Sequence, residues 1–107
     1  MINLLNETIE DLEAKGLSFT DIHYLTDGKK FITDNHKIGL ALNYSYDDGF
    51  GGEEVNTSLK IVGKDWWLER HEYDGSEWWE FKKMPSINSV IYTENKEEIK
   101  IKNNNWD

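Results

Sequence analysis

The sequence predicts an α+β domain: an antiparallel meander of four or five strands packed with an N-terminal helix and a second short helix. Three observations predict it. Apolar residues recur at spacings of three and four near the start of the chain. From Leu59 onward they alternate in short runs divided by polar turns. The whole is 107 residues, which by size is a single domain, 1–107, with room for one core.

Residues 3–15 read as the first helix, with Ile2, Leu5, Ile9 and Leu12 on one stripe. Gly16 suits the left-handed position past its end, where Leu17 would touch Leu12 in a Schellman stop. In "FTDIHYLTDGKKFIT", Ile22, Tyr24, Phe31 and Ile32 flank the turn signal Thr26-Asp27-Gly28-Lys29, so a short strand and a hairpin are expected. "TDNHKIGLALN" reads as the second helix, with Thr33 or Asp34 as N-cap and Ile38, Ala41 and Leu42 facing inward. Gly39 costs it about 1 kcal/mol. After the glycine-rich loop "YSYDDGFGGEE", Glu53 and Glu54 suit the first turn of a further short helix, beside the positive end of its dipole. The strands that follow are "LKIVG", "WWLERHEY", "EWWEFKKM", "SVIYT" and "IKIK", with Pro85 ending the third. The tail "NNNWD" is expected to be loosely held.

Charge narrows the partners. Twelve basic residues against 21 acidic ones leave a net charge of -9. Phosphate backbones repel such a chain, so direct nucleic-acid binding is not expected, whereas basic protein surfaces would be attracted. With no cysteine there is no disulfide, thiolate zinc site or cysteine nucleophile. The first residues lack a basic n-region, and no apolar run approaches membrane-spanning length. A cytoplasmic protein with no membrane contact is the expectation. Eleven lysines to one arginine, with ten asparagines, hint at an AT-rich genome.

Four of the five tryptophans lie between residues 64 and 83. The Asp74-Gly75 dipeptide there is the strongest short hairpin signal and favours a two-residue type I′ turn. In that register Tyr73 faces Ser76, and Leu68 faces Phe81. A slip of one residue would scramble both faces. Neighbours on a strand point oppositely, so each Trp-Trp pair must split. One face carries Trp66, Leu68, Arg70, Trp79 and Phe81 and is taken as core. The other carries Trp67, Glu69, His71, Tyr73, Trp78, Glu80 and Lys82. Trp67, Glu69, His71, Tyr73, Trp78 and Glu80 are the candidate partner- or ligand-binding residues, because an exposed aromatic patch marks a binding surface. A helix covering this face is the competing reading.

The register also sets Glu72 against Glu77 and Glu69 against Glu80, like charges that destabilise a strand pair. Lysines of neighbouring strands, Lys60, Lys82 or Lys100, would offset them. Alternatively, the carboxylates await a cation or a basic partner. Arg70 can stack on Trp79 and pair with a carboxylate at once, as a structural staple first and a ligand clamp second.

No other motif reaches catalytic or metal-binding specificity. His23, His36 and His71 share no metal-ligand spacing, and there is no H-E-x-x-H. Asp21 and His23 would share a strand face, as a surface pair. "YDDGFGGEE" has the composition of a calcium loop without its spacing. The hairpin holds the ingredients of a glycosidase, carboxylates beside aromatics, without a defined separation. No catalytic residue, metal ligand or cofactor is therefore assigned.

The segment "GFGGEEV…LKIVGKDWWLERHEYDGSEWWEFKKMP" resembles a block in small, functionally uncharacterised proteins of Gram-positive bacteria and their phages, over about residues 44–85. The resemblance implies a bacterial or phage cytoplasmic setting and assigns no site residue. The leading expectation is a non-enzymatic acidic interaction domain, of the inhibitor, immunity or phage anti-defence kind, that binds a basic protein. A small-ligand or carbohydrate-binding module with sheet-face tryptophans is the alternative. An enzyme using Glu69, Glu80 or His71, and a subunit of a larger assembly, are further rivals. Oligomeric state is not legible.

Overall fold

A computed structural model describes residues 1–47 and 54–85. The expected strands "SVIYT" and "IKIK", most of the glycine-rich loop and the tail "NNNWD" lie outside the described residues. The elements are β1 (Ile2–Asn3), α1 (Leu4–Ala14), β2 (Tyr24–Thr26), β3 (Phe31–Ile32), α2 (Asn35–Leu42), β4 (Ser45–Tyr46), β5 (Lys60–Val62), β6 (Trp66–Tyr73) and β7 (Ser76–Lys83), with a 3-10 turn at Phe19–Asp21. The fold is α+β. A five-stranded antiparallel sheet runs in the order β3-β2-β5-β6-β7, and β1 pairs with β4 in a separate two-stranded ribbon.

Both helices begin where the chain offers a cap. Asn3 accepts from the Asn6 amide at the head of α1, and Asp34 accepts from Lys37 at the head of α2. At the end of α1 the Gly16 amide bonds to the Glu13 carbonyl at 3.0 Å and the Leu17 amide to the Leu12 carbonyl at 2.9 Å, with Gly16 at φ +74°. That is the expected Schellman stop, and it turns Leu17 back onto the core. The buried stripe of α1 is Leu4, Thr8 and Leu12, while Leu5 and Ile9 are half-buried. Ile2, placed on the helical stripe from spacing alone, belongs to β1, because the Asn3 cap starts the helix after it.

The β6–β7 register is the expected one, from Tyr73↔Ser76 through Leu68↔Phe81 to Trp66↔Lys83. Asp74 at φ 52° and Gly75 at φ 85° form the turn, both left-handed, as type I′ requires. Directly opposed residues share a face, so Ile32, Leu25, Ile61, Leu68 and Phe81 form one row across the inner side of the sheet. Ile38 and Leu42 of α2 and Leu4 and Leu12 of α1 join Ile61, Leu68, Trp66 and Trp79 in the core.

Three further expectations need correction. Ala41, expected to face inward from α2, is exposed, because the buried stripe of this short helix is Ile38 and Leu42 alone. The segment after Glu54 is a turn, not a short helix: its amides at Glu54 and Val55 are taken by the Glu77 carboxylate at 2.7 and 3.1 Å, and the Val55 side chain is drawn into the core. Asp21 and His23 do not share a strand face. Asp21 closes a capping box with Ser18 in the 3-10 turn, and its carboxylate accepts from the Ser18 amide.

Candidate functional site

The hairpin β6–β7 presents two faces of opposite character. On the inner face the one arginine is buried. Its Nη1 lies 3.3 Å from Glu7 of α1 and its Nη2 lies 3.1 Å from Glu77 of β7, with a further 3.1 Å bond to the Tyr46 hydroxyl. The guanidinium carbon sits 4.7 Å over the Trp79 ring and 5.4 Å from the Tyr46 ring. Burial opposes its charge, but the Tyr46 hydroxyl, Glu7 and Glu77 outweigh burial and hold its pKa above the ordinary value. Arg70 is thus the staple that joins α1, β4, β6 and β7. The Tyr46 hydroxyl donates to Glu7 at 2.6 Å, and burial and that carboxylate raise its pKa. Beside them the Trp79 indole donates to the Thr8 hydroxyl at 2.9 Å, which donates in turn to the Leu4 carbonyl. Thr8 is buried on an otherwise apolar stripe because this indole needs an acceptor.

The outer face carries the residues singled out for binding. Trp67, Glu69, His71, Glu80 and Lys82 form a continuous polar chain. The Trp67 indole donates to Glu69 at 2.7 Å; His71 lies between Glu69 at 3.1 Å and Glu80 at 3.4 Å; Lys82 meets Glu80 at 2.7 Å. The Trp67 bond lowers the Glu69 pKa, the Lys82 bond lowers that of Glu80, and Glu80 raises that of Lys82. Lys60 of β5 stands opposite Glu69 on the same face. Among the described residues, the Glu69/Glu80 pair is offset by Lys82, which meets Glu80 and also lowers the Glu69 pKa. The Glu72/Glu77 pair is relieved differently. Glu72 accepts from the Gly75 amide at 2.9 Å, and Glu77 turns inward to Arg70 and the amides of Glu54 and Val55.

Tyr73, 76% exposed, stands at the hairpin tip away from this chain. Trp78 parts company with it too. It is 38% exposed and forms one wall of a cleft between α1 and β7, about 410 Å³, lined also by Ile2, Asn3, Asn6, Glu7, Glu10, Tyr46 and Glu77. Among the described residues, α1 packs on the inner side of the hairpin, through Thr8 and Glu7 to Trp79, so it is not the cover considered for the outer face.

Sequence reasoning missed this cleft. Its acids come from one helix and one strand 70 positions apart, as the Glu7–Trp79 and Thr8–Trp79 bonds show at separations of 72 and 71. The available signal was the crowd of Glu7, Glu10 and Asp11 on one side of α1. The Asp11 carboxyl is pushed up to about 6, first by burial and then by Glu7 and Glu10. Among the described residues no cluster of three or more His, Asp or Glu is arranged to hold a metal ion, and no helix is long and apolar enough to cross a membrane.

No protein-family model, curated protein or solved structure matches the chain.

Proposed function

We propose that this chain is a non-enzymatic, acidic protein-interaction domain that binds a basic protein, acting as an inhibitor of the immunity or phage anti-defence kind in a bacterial cytoplasm. The observation that carries this reading is the placement of Tyr73 and Trp78, exposed aromatics on a hairpin of a chain with net charge -9. Tryptophan and tyrosine dominate binding hot spots, and the acidic field steers basic surfaces toward them. Trp67 and Tyr73 would extend the contact along the outer face, with Glu69, His71 and Glu80 as its polar part.

The test uses tagged protein as bait in bacterial lysate at low and at moderate salt. A stoichiometric basic protein that is released as salt rises, and bound more weakly by the Trp67→Ala/Trp78→Ala double variant, is expected. No partner at any salt, or capture indifferent to both replacements, sinks the reading.

The second reading, a small-ligand or carbohydrate-binding module, draws on one observation: Trp78 walls a cleft together with Asn3, Asn6 and Glu10. An aromatic face beside amide and carboxylate groups suits sugar hydroxyls. A panel of mono- and oligosaccharides that leaves the thermal midpoint unmoved removes it.

A further inference from the structure

We propose that the β2–β3 hairpin holds a site for a free nucleoside phosphate, its base laid on Phe31 and its phosphates met by Lys29, Lys30 and Lys60. The site goes beyond the basic-partner reading and is independent of it, at the opposite edge of the sheet from β7.

The hairpin loop is fixed by its own polar groups. The Asp27 carboxylate accepts from the amides of Lys29 at 2.9 Å and Lys30 at 2.8 Å. The Thr26 hydroxyl accepts from the Gly28 amide at 2.9 Å and donates to the Lys30 carbonyl at 2.7 Å. Gly28 takes φ +92°, a conformation that favours glycine. These amides are satisfied within the loop, so what it offers an anion is a pair of ammonium groups on a fixed backbone.

Two cavities flank the loop and share Thr26, Gly28 and Lys29. One, about 440 Å³, is walled by Tyr24, Lys30, Phe31 and Thr33. The other, about 410 Å³, reaches Ser58 and Lys60. Both fall in the roughly 300–1,000 Å³ range of small-ligand sites. In their linings three lysines meet one carboxylate, Asp27. None of the three lysines is in an ion pair among the described residues. Lys60 stands opposite Glu69, but that carboxylate is bonded to Trp67 and His71. A chain of net charge -9 thus carries a local excess of positive charge here. Charges beyond about 8–10 Å are largely screened at physiological salt, so an anion at the loop feels the lysines before the acidic remainder.

The aromatic pair selects the anion. Phe31 is 70% exposed on a two-residue edge strand. Tyr24 meets it at 68° with centroids 6.2 Å apart, which steadies the ring without covering it. A simple carboxylate or sulfate leaves this ring unused, whereas a nucleotide engages ring and lysines together. Register sets Phe31, Thr26 and Lys60 in one row on the outer face. Ring and far lysine are therefore two strand spacings apart, about 10 Å, which a nucleoside triphosphate spans. The Thr33 hydroxyl on the same wall can bond a ribose. Length favours a free nucleotide over a strand, because a longer phosphate backbone would run off the loop onto the acidic surface.

The experiment titrates the isotope-labelled full chain with ATP, inorganic tripolyphosphate, adenosine and a short single-stranded oligodeoxyadenylate, at physiological salt without magnesium, following backbone amide and aromatic ring resonances. Saturable movement of the Gly28 and Lys29 amides and of the Tyr24 and Phe31 rings is expected with ATP. Tripolyphosphate should bind about fivefold or more weakly, having no base to stack. Adenosine should bind about tenfold or more weakly, having no charge for the lysines. Lys29→Gln/Lys30→Gln, a double change at exposed side chains, should weaken ATP about tenfold or more. Phe31→Ala should weaken ATP about fivefold or more and leave tripolyphosphate unchanged. Lys64→Gln, an exposed lysine outside both cavities, should alter neither. Tripolyphosphate as tight as ATP, or Phe31→Ala without effect, overturns the nucleotide as the ligand. An oligodeoxyadenylate tighter than ATP overturns the free ligand in favour of a strand. No saturable shift with ATP, or shifts centred away from the hairpin, overturns the site, and each of these results leaves the basic-partner reading to its own lysate test.

Discussion

Replacing Arg70 by methionine should be the most damaging single change to the described fold. Its side chain is almost wholly inaccessible, and it offsets Glu7 and Glu77, the latter equally buried. Methionine keeps most of the length and stacks on Trp79, so packing is largely preserved. What is lost is the cation between two carboxylates. Breaking a buried pair from one side costs about 3–5 kcal/mol, because the remaining charge stays desolvated. Against a total stability of roughly 5–15 kcal/mol for a domain of this kind, that is about a fifth of the whole or more. With a urea m-value of roughly 2 kcal/mol/M, the unfolding midpoint should fall by about 2 M. Urea unfolding followed by tryptophan fluorescence measures this directly. A deficit under about 1 kcal/mol would refute the reasoning and make Arg70 a mere packing element.

Three further outcomes follow from single contacts. The Asp11 carboxyl titrates at about 6 in the folded chain against an ordinary 3.8, so the folded state holds that proton more tightly than the unfolded one. Stability from this group must then fall as pH rises from about 4 to about 6 and stay lost above. Asp11→Asn should flatten that decline and stabilise the chain at neutral pH by on the order of 1 kcal/mol, allowing for water screening at a half-exposed group; thermal midpoints across pH check it. Thr8→Val leaves the Trp79 indole N–H without its acceptor in the core and should cost about 1–3 kcal/mol, with faster exchange of that indole proton by NMR. Gly63→Ala places a Cβ against the ring of Trp66, a buried neighbour packed on Phe81, and should lower the thermal midpoint far more than Gly39→Ala, where the added Cβ only grazes Phe19.

Local rules made much of this chain legible before any coordinates. The Gly16 stop, the Asp34 cap and the Asp74-Gly75 turn each depend on a few adjacent residues, and each appears as expected. The turn in turn dictates the β6–β7 register, since a two-residue type I′ loop leaves no freedom in the pairing. Register then divides the tryptophans between the faces, Trp66 and Trp79 inward and Trp67 and Trp78 outward. The α+β class follows from the same periodicities.

What only the tertiary structure decided are the partnerships between distant segments. The sheet draws β2 and β3 in beside β5, which periodicity could not foresee because strand adjacency across a helix leaves no local mark. Glu54 and Val55 form a turn because a carboxylate more than twenty positions away takes their amides. Thr8 is buried on a helix stripe because an indole more than seventy positions away needs an oxygen. The fate of charges is likewise settled in three dimensions. Glu69 and Glu80, suspicious as a pair in the sequence, are offset by Lys82, on the same strand as Glu80, whereas Glu7 and Glu10, unremarked on a helix, end up lining one cleft with Glu77 and Trp78. Sequence spacing determines which side chains share an element's face; electrostatics depends on through-space distance, and that distance is set only when the elements pack.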